Sequence, residues 1–351
     1  MRKHLLYIVL FLLSVLWTSC QKEDISTSEA EAASQYMQFS VRSASDNESE
    51  KPCFIFWKES DYKTPAVFVV PTTPYVFRHP EGMIEDYEVP KYNTRYVYPP
   101  QSEWVHAVGV APGSLVEENN TDWEKFEIPS SKAGLIDIQC APAIRGSQQT
   151  PFSNPLVFTH KLAKLDIQGY CGSSMTYIGG DGKRRFINVK DIRVSISSDL
   201  DDQWMHFPQK LIWDSGNEQY EVAAYASKPT PEIVAKIFAD DVTLEGTTDT
   251  SKDHAKAIGN FYFVPGFSTI TLKVEAIYID STTDGDTPLT GNGQGIARVW
   301  DTIKITDIHP ELGGNTETSE GESYEIKLMF DRGRIVLGVT LEPWNPDEIH
   351  N

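Results

Sequence analysis

Stretches in which apolar and polar residues alternate recur along most of this sequence of 351 residues. A period of two puts every second side chain on one face of a β-strand, whereas an amphipathic helix needs a period near 3.6. The clearest stretches lie at residues 37–41, 135–140, 191–196, 270–278 and 324–330. Turn-forming residues separate them and no strand–helix–strand rhythm is visible. The sequence therefore predicts an all-β protein and not a doubly wound α/β fold.

The last of these stretches and the one that follows it form the clearest hairpin in the sequence. Between them lies Asp331-Arg332-Gly333-Arg334, a run with the composition of a tight turn. The returning stretch has an aliphatic residue at every second position: Ile335, Leu337, Val339 and Leu341. We therefore expect a second strand with one apolar face at this end of the chain.

Two local signals give expectations for single segments. Thr230 and Pro231 supply a helix cap and a first-turn proline, so a short helix is expected at residues 232–239. Gly179-Gly180-Asp181-Gly182-Lys183 has the glycine content of a phosphate-binding loop. It lies between two strand-like stretches, however, and a hairpin turn is the better interpretation.

Charge and motif content exclude several classes of function. The formal net charge of −19 disfavours electrostatic capture of nucleic acid, which is not an expected partner. The sequence contains no G-x-S-x-G, H-E-x-x-H or G-x-x-x-x-G-K-[ST] motif, and its eight histidines show no metal-ligand spacing. His160 is expected in the core, and Asp280, Asp284 and Asp286 in a solvated loop. We therefore expect no enzyme activity, no cofactor and no metal site.

The N-terminus has the pattern of a lipoprotein signal peptide. Arg2 and Lys3 precede an apolar run at residues 5–17, which is shorter than the ~20 residues that a membrane-spanning helix needs. The run ends in Leu16-Trp17-Thr18-Ser19-Cys20, where small residues come directly before a cysteine. We expect residues 1–19 to be removed and Cys20 to be lipidated. An ordinary secretory signal with an incidental cysteine is the alternative.

The residues after Cys20 extend the export pattern. Lys22, Glu23 and Asp24 resemble the lysine-plus-acids signal that directs lipoproteins to the outer face of the outer membrane. Residues 20–35 are rich in Ser, Thr and Glu, which predicts a flexible lipidated tether. The expected location is therefore the cell surface, with a lipid anchor in the outer membrane.

Three further cysteines remain once Cys20 is assigned to lipid: Cys53, Cys140 and Cys171. An odd number cannot be fully paired, and no two of them have the close C-x-x-C spacing of a zinc site or redox motif. One disulfide and three buried free thiols are both open interpretations.

Tryptophans at seven positions beyond the apolar run could pack in a core or form a binding platform: Trp57, Trp104, Trp123, Trp204, Trp213, Trp300 and Trp344. In β-sandwiches such residues usually pack inside or close the strand ends. Exposed tryptophans could instead stack on sugars, and a surface glycan-binding lipoprotein is therefore the alternative function.

Several segments together resemble the fimbrillin family, the Bacteroidetes pilins that mature from exported lipoproteins. Phe158-Thr159-His160-Lys161-Leu162-Ala163-Lys164-Leu165 is similar to the family pattern F-x-H-x-L-[AS]-K-[LV] and is the most specific match. The others are the lipoprotein signal with Lys22-Glu23-Asp24, Val105-His106-Ala107-Val108-Gly109-Val110-Ala111-Pro112, Phe263-Val264-Pro265-Gly266 and Leu341-Glu342-Pro343-Trp344. These matches spread over nearly the whole chain.

The resemblance implies a fold and a function. The fold would be two tandem transthyretin-like β-sandwich domains with little helix, at residues 36–156 and 157–351. The function would be that of a structural subunit of surface fimbriae, which polymerises with other fimbrial subunits by β-strand exchange. After assembly such a subunit lies in the fimbrium and supports adhesion to ligands on host or bacterial surfaces.

Strand exchange in this family begins with proteolysis after a basic residue, which removes the first strand. Arg42 follows the stretch 37–41, so the bond between Arg42 and Ser43 is the candidate site, with an ordinary surface arginine as the alternative. The vacated groove would accept a neighbour's strand, because a sandwich that lacks one strand exposes unpaired backbone groups. The candidate donor is the strand with Ile335, Leu337, Val339 and Leu341. The alternative is that this strand completes its own subunit.

Overall fold

A computed structural model describes residues 36–42, 52–59, 67–69, 91–99, 103–117, 122–247, 254–282, 285–288, 296–305, 317–331 and 334–342. Strands account for most of these residues, which confirms the all-β class. In these ranges, helical structure is limited to one turn of α-helix, α1 (Ser114–Glu117), and to 3₁₀ turns. None of the helices in these ranges is long and apolar enough to cross a membrane.

Nine strands of the described residues come from the first half of the chain, and eight of them build two sheets. They are β1 (Tyr36–Arg42), β2 (Cys53–Lys58), β3 (Val67–Val69), β4 (Lys91–Val97), β5 (Val105–Ala111), β6 (Lys125–Glu127), β7 (Gln139–Gly146), β8 (Leu156–Val157) and β9 (Thr159–His160). One sheet has the order β3-β2-β5-β7-β9, and a three-stranded sheet has the order β4-β1-β8. Buried residues of both sheets, among them Phe54 and Leu156, share one hydrophobic cluster.

Twelve strands of the described residues come from the second half, and ten of them form two sheets. They are β10 (Ala163–Cys171), β11 (Thr176–Ile178), β12 (Arg184–Ser197), β13 (Pro208–Asp214), β14 (Gln219–Ala224), β15 (Val234–Ala239), β16 (Lys256–Phe263), β17 (Ile270–Thr282), β18 (Gly285–Pro288), β19 (Ile296–Ile305), β20 (Ser323–Asp331) and β21 (Arg334–Glu342). The first sheet has the order β16-β10-β20-β21. In the second, β12 and β17 are central, with β11 and β15 beside β12 and β18 and β19 beside β17. Their inner faces share one core cluster.

Alternation decides which face of each strand enters this core. In β10 the side chains of Ala163, Leu165 and Ile167 are fully buried, whereas Lys164 and Asp166 between them are half-buried. Apolar burial is the main favourable contribution to folding, so a one-residue change in register would expose the whole apolar face. The predicted strands of this half are present for that reason.

The hairpin of β13 and β14 lies in the second half of the sequence but packs on the first half. β13 pairs with β6, with Leu211 opposite Phe126. Trp213 and Tyr220 of the hairpin belong to the same buried cluster as Trp57 and Trp123. The predicted domain division near residue 157 stays a prediction, and this hairpin is a contact across it that the sequence did not indicate.

The predicted helix at residues 232–239 is wrong, because this segment forms strand β15. Six consecutive residues of β15 pair with residues 192–197 of β12. Ala235 and Ala239 face inward, whereas Val234 and Phe238 are exposed, which is the period of a strand. A helix cap contributes only ~1 kcal/mol to the stability of a helix. Pairing with the edge of β12 contributes more, so the segment forms a strand.

The glycine-rich segment at residues 179–183 is a hairpin turn between β11 and β12, as predicted. The Gly179 amide donates to the Lys183 carbonyl at 2.8 Å, and the Gly182 amide donates to the Gly179 carbonyl at 2.9 Å. Gly182 has a φ of +78°, a conformation that disfavours residues with a Cβ. The glycines therefore serve the turn itself.

All three cysteines of the described chain are buried free thiols: Cys53, Cys140 and Cys171. This confirms the free-thiol interpretation. Burial raises the pKa of the Cys171 thiol from 9.0 to about 12 and raises the pKa of Cys140 well above its usual range. Because the thiolate is the reactive form, these residues should be inert in the folded protein.

Iodoacetamide should therefore leave the native protein unlabelled at pH 8, when Cys20 has been replaced by serine. In guanidinium chloride the same protein should take up three labels, one for each of the cysteines above. Intact mass measures both results, and the unfolded sample is the control for reagent activity. Labelling of a native cysteine at the rate of a free thiol would contradict the buried placement.

Candidate functional site

Strand β1 occupies the middle of its sheet, with a partner on both sides. It pairs antiparallel with β4, where Phe39 lies opposite Tyr92. It pairs parallel with β8, where Val41 lies opposite Leu156 and Arg42 opposite Val157. Both backbone edges of β1 are therefore used in the folded chain.

The side chains of Met37 and Val41 anchor β1 in the core. They are 6% and 2% exposed, and they share a hydrophobic cluster with Phe54, Phe56 and Phe158. Both belong to the apolar face that the sequence predicts for this strand. Removal of β1 would leave a groove with two unpaired strand edges and a floor of exposed apolar side chains.

The predicted cleavage residue Arg42 is the last residue of β1, and its backbone pairs with β8. Ser43 lies outside the described residues, as do the predicted lipidation site Cys20 and the export residues Lys22, Glu23 and Asp24. The structure therefore places Arg42 at the end of β1, and cleavage there, like the other predictions for the N-terminus, stays a prediction.

Strand β21 forms the predicted hairpin with β20. The pairing runs from Ser323 opposite Glu342 to Asp331 opposite Arg334. Ile335 is 7% exposed and belongs to the larger core, and the backbones of Leu337, Val339 and Leu341 pair opposite Leu328, Ile326 and Tyr324. Within the described chain, no strand pairs with the other edge of β21.

The end of β20 is held in place by groups outside the hairpin. The Gly172 amide donates to the Phe330 carbonyl at 2.9 Å, and the Tyr278 hydroxyl donates to the Asp331 carbonyl at 3.1 Å. The Ser174 hydroxyl donates to the Asp331 carboxylate at 2.6 Å. β20 also pairs with β10 along its length, so its position does not depend on β21 alone.

Two segments of the family resemblance pack directly against each other. A Cβ atom added to Gly109, on β5, would lie 2.3 Å from Cζ of Phe158, which no side chain tolerates. Phe158 is 3% exposed and meets Phe54 edge-on at a centroid distance of 6.3 Å. The glycine in the first segment is thus required by the aromatic ring in the second.

Lys161, inside the most specific segment of the resemblance, forms a buried ionic contact that sequence reasoning missed. Its side chain is 5% exposed, and Nζ lies 2.9 Å from Glu320 and 3.6 Å from Glu221. Burial lowers the pKa of Lys161, but the hydrogen bond to Glu320 and the charges of both glutamates outweigh it and leave the pKa raised. The ammonium thus joins β14 and the loop before β20 to the segment that links β9 and β10.

The neighbouring His160 is a satisfied, half-buried residue, as predicted. Its Nδ1 lies 3.0 Å from Oδ1 of Asp137 and 2.9 Å from Oδ2. No group of three potential metal-ligating side chains occurs among the residues that the structure describes. His160 therefore has a carboxylate partner within the fold.

Three of the tryptophans pack together in the core. The rings of Trp57 and Trp123 stack at 5.5 Å, and Trp213 meets Trp57 edge-on at 5.3 Å. All three are nearly fully buried, which confirms the packing interpretation for them. Trp104 differs, because it is half-buried and carries the guanidinium of Arg145 over its ring.

Comparison with known proteins gives similarity at the level of structure. No protein-family model and no curated protein matches the sequence. A protein from Bacteroides uniformis assigned to cell adhesion is 12% identical, with a TM-score of 0.47 over 89% of this chain and 99% of that one. The tip fimbrial protein Mfa3 from Porphyromonas gingivalis is 9% identical, with a TM-score of 0.38 over 88% and 99%. A fimbrial assembly protein from Parabacteroides distasonis is 11% identical, with a TM-score of 0.30 over 88% and 97%. The structures to which this chain is similar are thus fimbrial proteins and proteins assigned to cell adhesion.

Proposed function

We propose that this protein is a structural subunit of surface fimbriae, exported as a lipoprotein and assembled by β-strand exchange. The observation that carries the proposal is the position of β1. It is the first strand of the described residues and central in its sheet, its side chains Met37 and Val41 are buried in a core, and a basic residue ends it. The sequence resemblance to the fimbrillin family supports the same function.

The geometry of β1 suits a strand that is removed and replaced. A cut after Arg42 separates β1 from the rest of the chain, so only ladder hydrogen bonds and apolar contacts then hold it. A neighbour's strand with an apolar face of the same period would restore those contacts. Each buried aliphatic side chain contributes roughly 1.5–3 kcal/mol, so such a joint would be long-lived.

The C-terminal strand β21 is the donor in this proposal. Among the described strands it lies at the edge of its sheet, and only two residues of sequence separate it from β20. The contacts of β20 with Gly172, Ser174 and Tyr278 would remain when β21 moves to a neighbour. Donation would cost the pairing with β20, and the groove of the neighbouring subunit would supply a replacement.

Deletion of residues 335–351 tests the donor assignment. After cleavage at Arg42, the truncated subunit should stay folded and monomeric and should fail to form polymers, because the neighbouring groove stays empty. Size-exclusion chromatography and electron microscopy measure polymer formation, and circular dichroism measures folding. A matched control that lacks only residues 343–351 keeps β21 and should polymerise. Outright misfolding of the longer deletion, with the control folded, would show that β21 is core of its own subunit.

A further inference from the structure

A groove of about 360 Å³ lies over β5 and β7, and no residue of β1 or β21 lines it. Its lining includes Trp104, His106, Arg145, Thr150, Asn154 and Glu218. Trp104 and His106 come from the start of β5, Arg145 from β7, and Glu218 from the tip of the β13–β14 hairpin. Its volume lies within the ~300–1,000 Å³ of ligand pockets.

The floor of the groove is a set of stacked planar groups. His106 lies opposite Arg145 in the strand register, and its ring stacks on Trp57 at 5.3 Å with an angle of 7° between the planes. Cζ of Arg145 lies 5.0 Å from the ring centroid of Trp104. Such a cation–π contact orients the guanidinium, although the side chain is exposed.

The walls are held by hydrogen bonds within the chain. The Glu218 carbonyl accepts the amide of Ala143 at 2.8 Å, which fastens the hairpin tip to β7. Glu218 has a φ of +50°, an unusual conformation for a residue other than glycine. On the other side, the Ser147 amide donates to the Thr150 carbonyl at 2.8 Å and the Thr150 amide to the Ser147 hydroxyl at 3.1 Å. A preformed groove loses little entropy when a ligand binds.

The charged groups of the groove are available to a ligand. Arg145 and Glu218 form no ion pair with any residue that the structure describes. Burial lowers the pKa of His106 below its ordinary value, despite the nearby carboxylates of Glu218 and Glu59, so its imidazole is neutral at pH 7. The groove therefore offers one guanidinium, one carboxylate, one amide and one neutral imidazole, with formal charges that cancel.

We propose that this groove binds a neutral carbohydrate. The guanidinium of Arg145 presents paired donors, the carboxylate of Glu218 presents paired acceptors, and the amide of Asn154 presents one of each. Adjacent sugar hydroxyls are donors and acceptors at once, so they match this combination. Trp104 also lines the groove and adds apolar surface beside the Arg145 guanidinium that lies over its ring. An anionic ligand would meet Glu218 and a net charge of −19, and a cationic ligand would meet Arg145.

A printed glycan array tests the ligand class, and calorimetric titration with the strongest neutral glycan tests the site. The array carries neutral glycans that end in hexose or N-acetylhexosamine, together with sialylated and sulfated glycans. The wild-type chain should bind neutral glycans. Arg145→Ala and Glu218→Gln should each weaken binding by about 10-fold or more, because each removes hydrogen bonds to a charged group.

The matched control is Arg193→Ala. Arg193 also stacks on an aromatic ring, with Cζ 5.5 Å from the centroid of Phe238, but it lies on β12 away from the groove. This variant should bind the glycan as the wild type does. Failure to bind any neutral glycan, binding of charged glycans only, or equal loss in the control would overturn the proposal. The fimbrial function would stand in each case, because the groove uses no residue of β1 or β21.

Discussion

Replacement of both Met37 and Val41 by aspartate should destabilise the full-length chain by at least ~3 kcal/mol. The two side chains are 6% and 2% exposed, so the variant loses the burial of two apolar groups, worth roughly 1.5–3 kcal/mol each. It also brings two carboxylates into an apolar core, where no cation is available among the described members of that cluster. Urea unfolding followed by fluorescence measures the change in the free energy of unfolding.

The matched control for this variant is Val157→Asp on the neighbouring strand β8. Val157 is 43% exposed although it pairs directly with Arg42 at the end of β1, so its replacement should change stability by only ~0.5 kcal/mol. Equal stability of the double variant and the control would mean that β1 contributes no core, and the removable-strand proposal would then lose its physical basis.

Reversal of the buried charge in Lys161→Glu should cost about 3–5 kcal/mol of stability. Lys161 is 5% exposed and lies 2.9 Å from Glu320 and 3.6 Å from Glu221, so the variant places three carboxylates together. A buried charge without a partner has a cost of this size, and in this variant that charge is the new carboxylate at position 161, which is 5% exposed and has two acidic neighbours. Urea unfolding measures the loss.

Lys161→Met separates the effect of charge from that of packing. Methionine keeps most of the aliphatic volume, and Glu221 and Glu320 are 41% and 44% exposed, so both stay hydrated. The loss should therefore be clearly smaller than for Lys161→Glu. Equal losses in the two variants would show that the ionic contact contributes nothing and that only the shape of the side chain matters.

The pH dependence of the Lys161 contact follows from the direction of its pKa shift. The folded-state pKa lies above the ordinary value of 10.5, so the stabilisation is fully present below that value. It is lost as the pH rises through the folded-state pKa. The difference in stability between the wild type and Lys161→Met should thus be constant at neutral pH and should shrink only in strongly alkaline solution.

Most strands and their buried faces could be predicted from the sequence, because alternation is a local property. The pattern at residues 270–278 lies within β17, and β20 and β21 pair up to Asp331 and Arg334, the two ends of the predicted turn. The strand expected at residues 135–140 is wrong, because β7 begins only at Gln139. The error at residues 232–239 has the opposite cause. A local helix signal was present, but six residues of that segment pair with the backbone of β12, about forty residues away in the sequence. This long-range pairing favours a strand over a helix.

The candidate site likewise has features that could be predicted from the sequence and features that only the tertiary structure shows. The apolar period of β1 and the basic residue at its end are visible in the sequence, but the partners of β1 are not. Only the tertiary structure places β1 between β4 and β8, which turns an ordinary strand into one whose removal leaves a groove. Lys161 could be noticed as a lysine within an apolar segment, but its two glutamates come from distant parts of the chain.

The sequence by itself determined the all-β class, the inward faces of the main strands and the hairpin at the C-terminal end. These features depend only on residues that are close in the sequence. A strand whose apolar residues alternate with a period of two must turn that face inward to bury them. The tertiary structure alone decided the packing of β13 and β14 on β6 and the groove between Trp104, Arg145 and Glu218. Such contacts join residues far apart in the chain, and their free energy depends on the whole fold. A local sequence pattern therefore does not predict them.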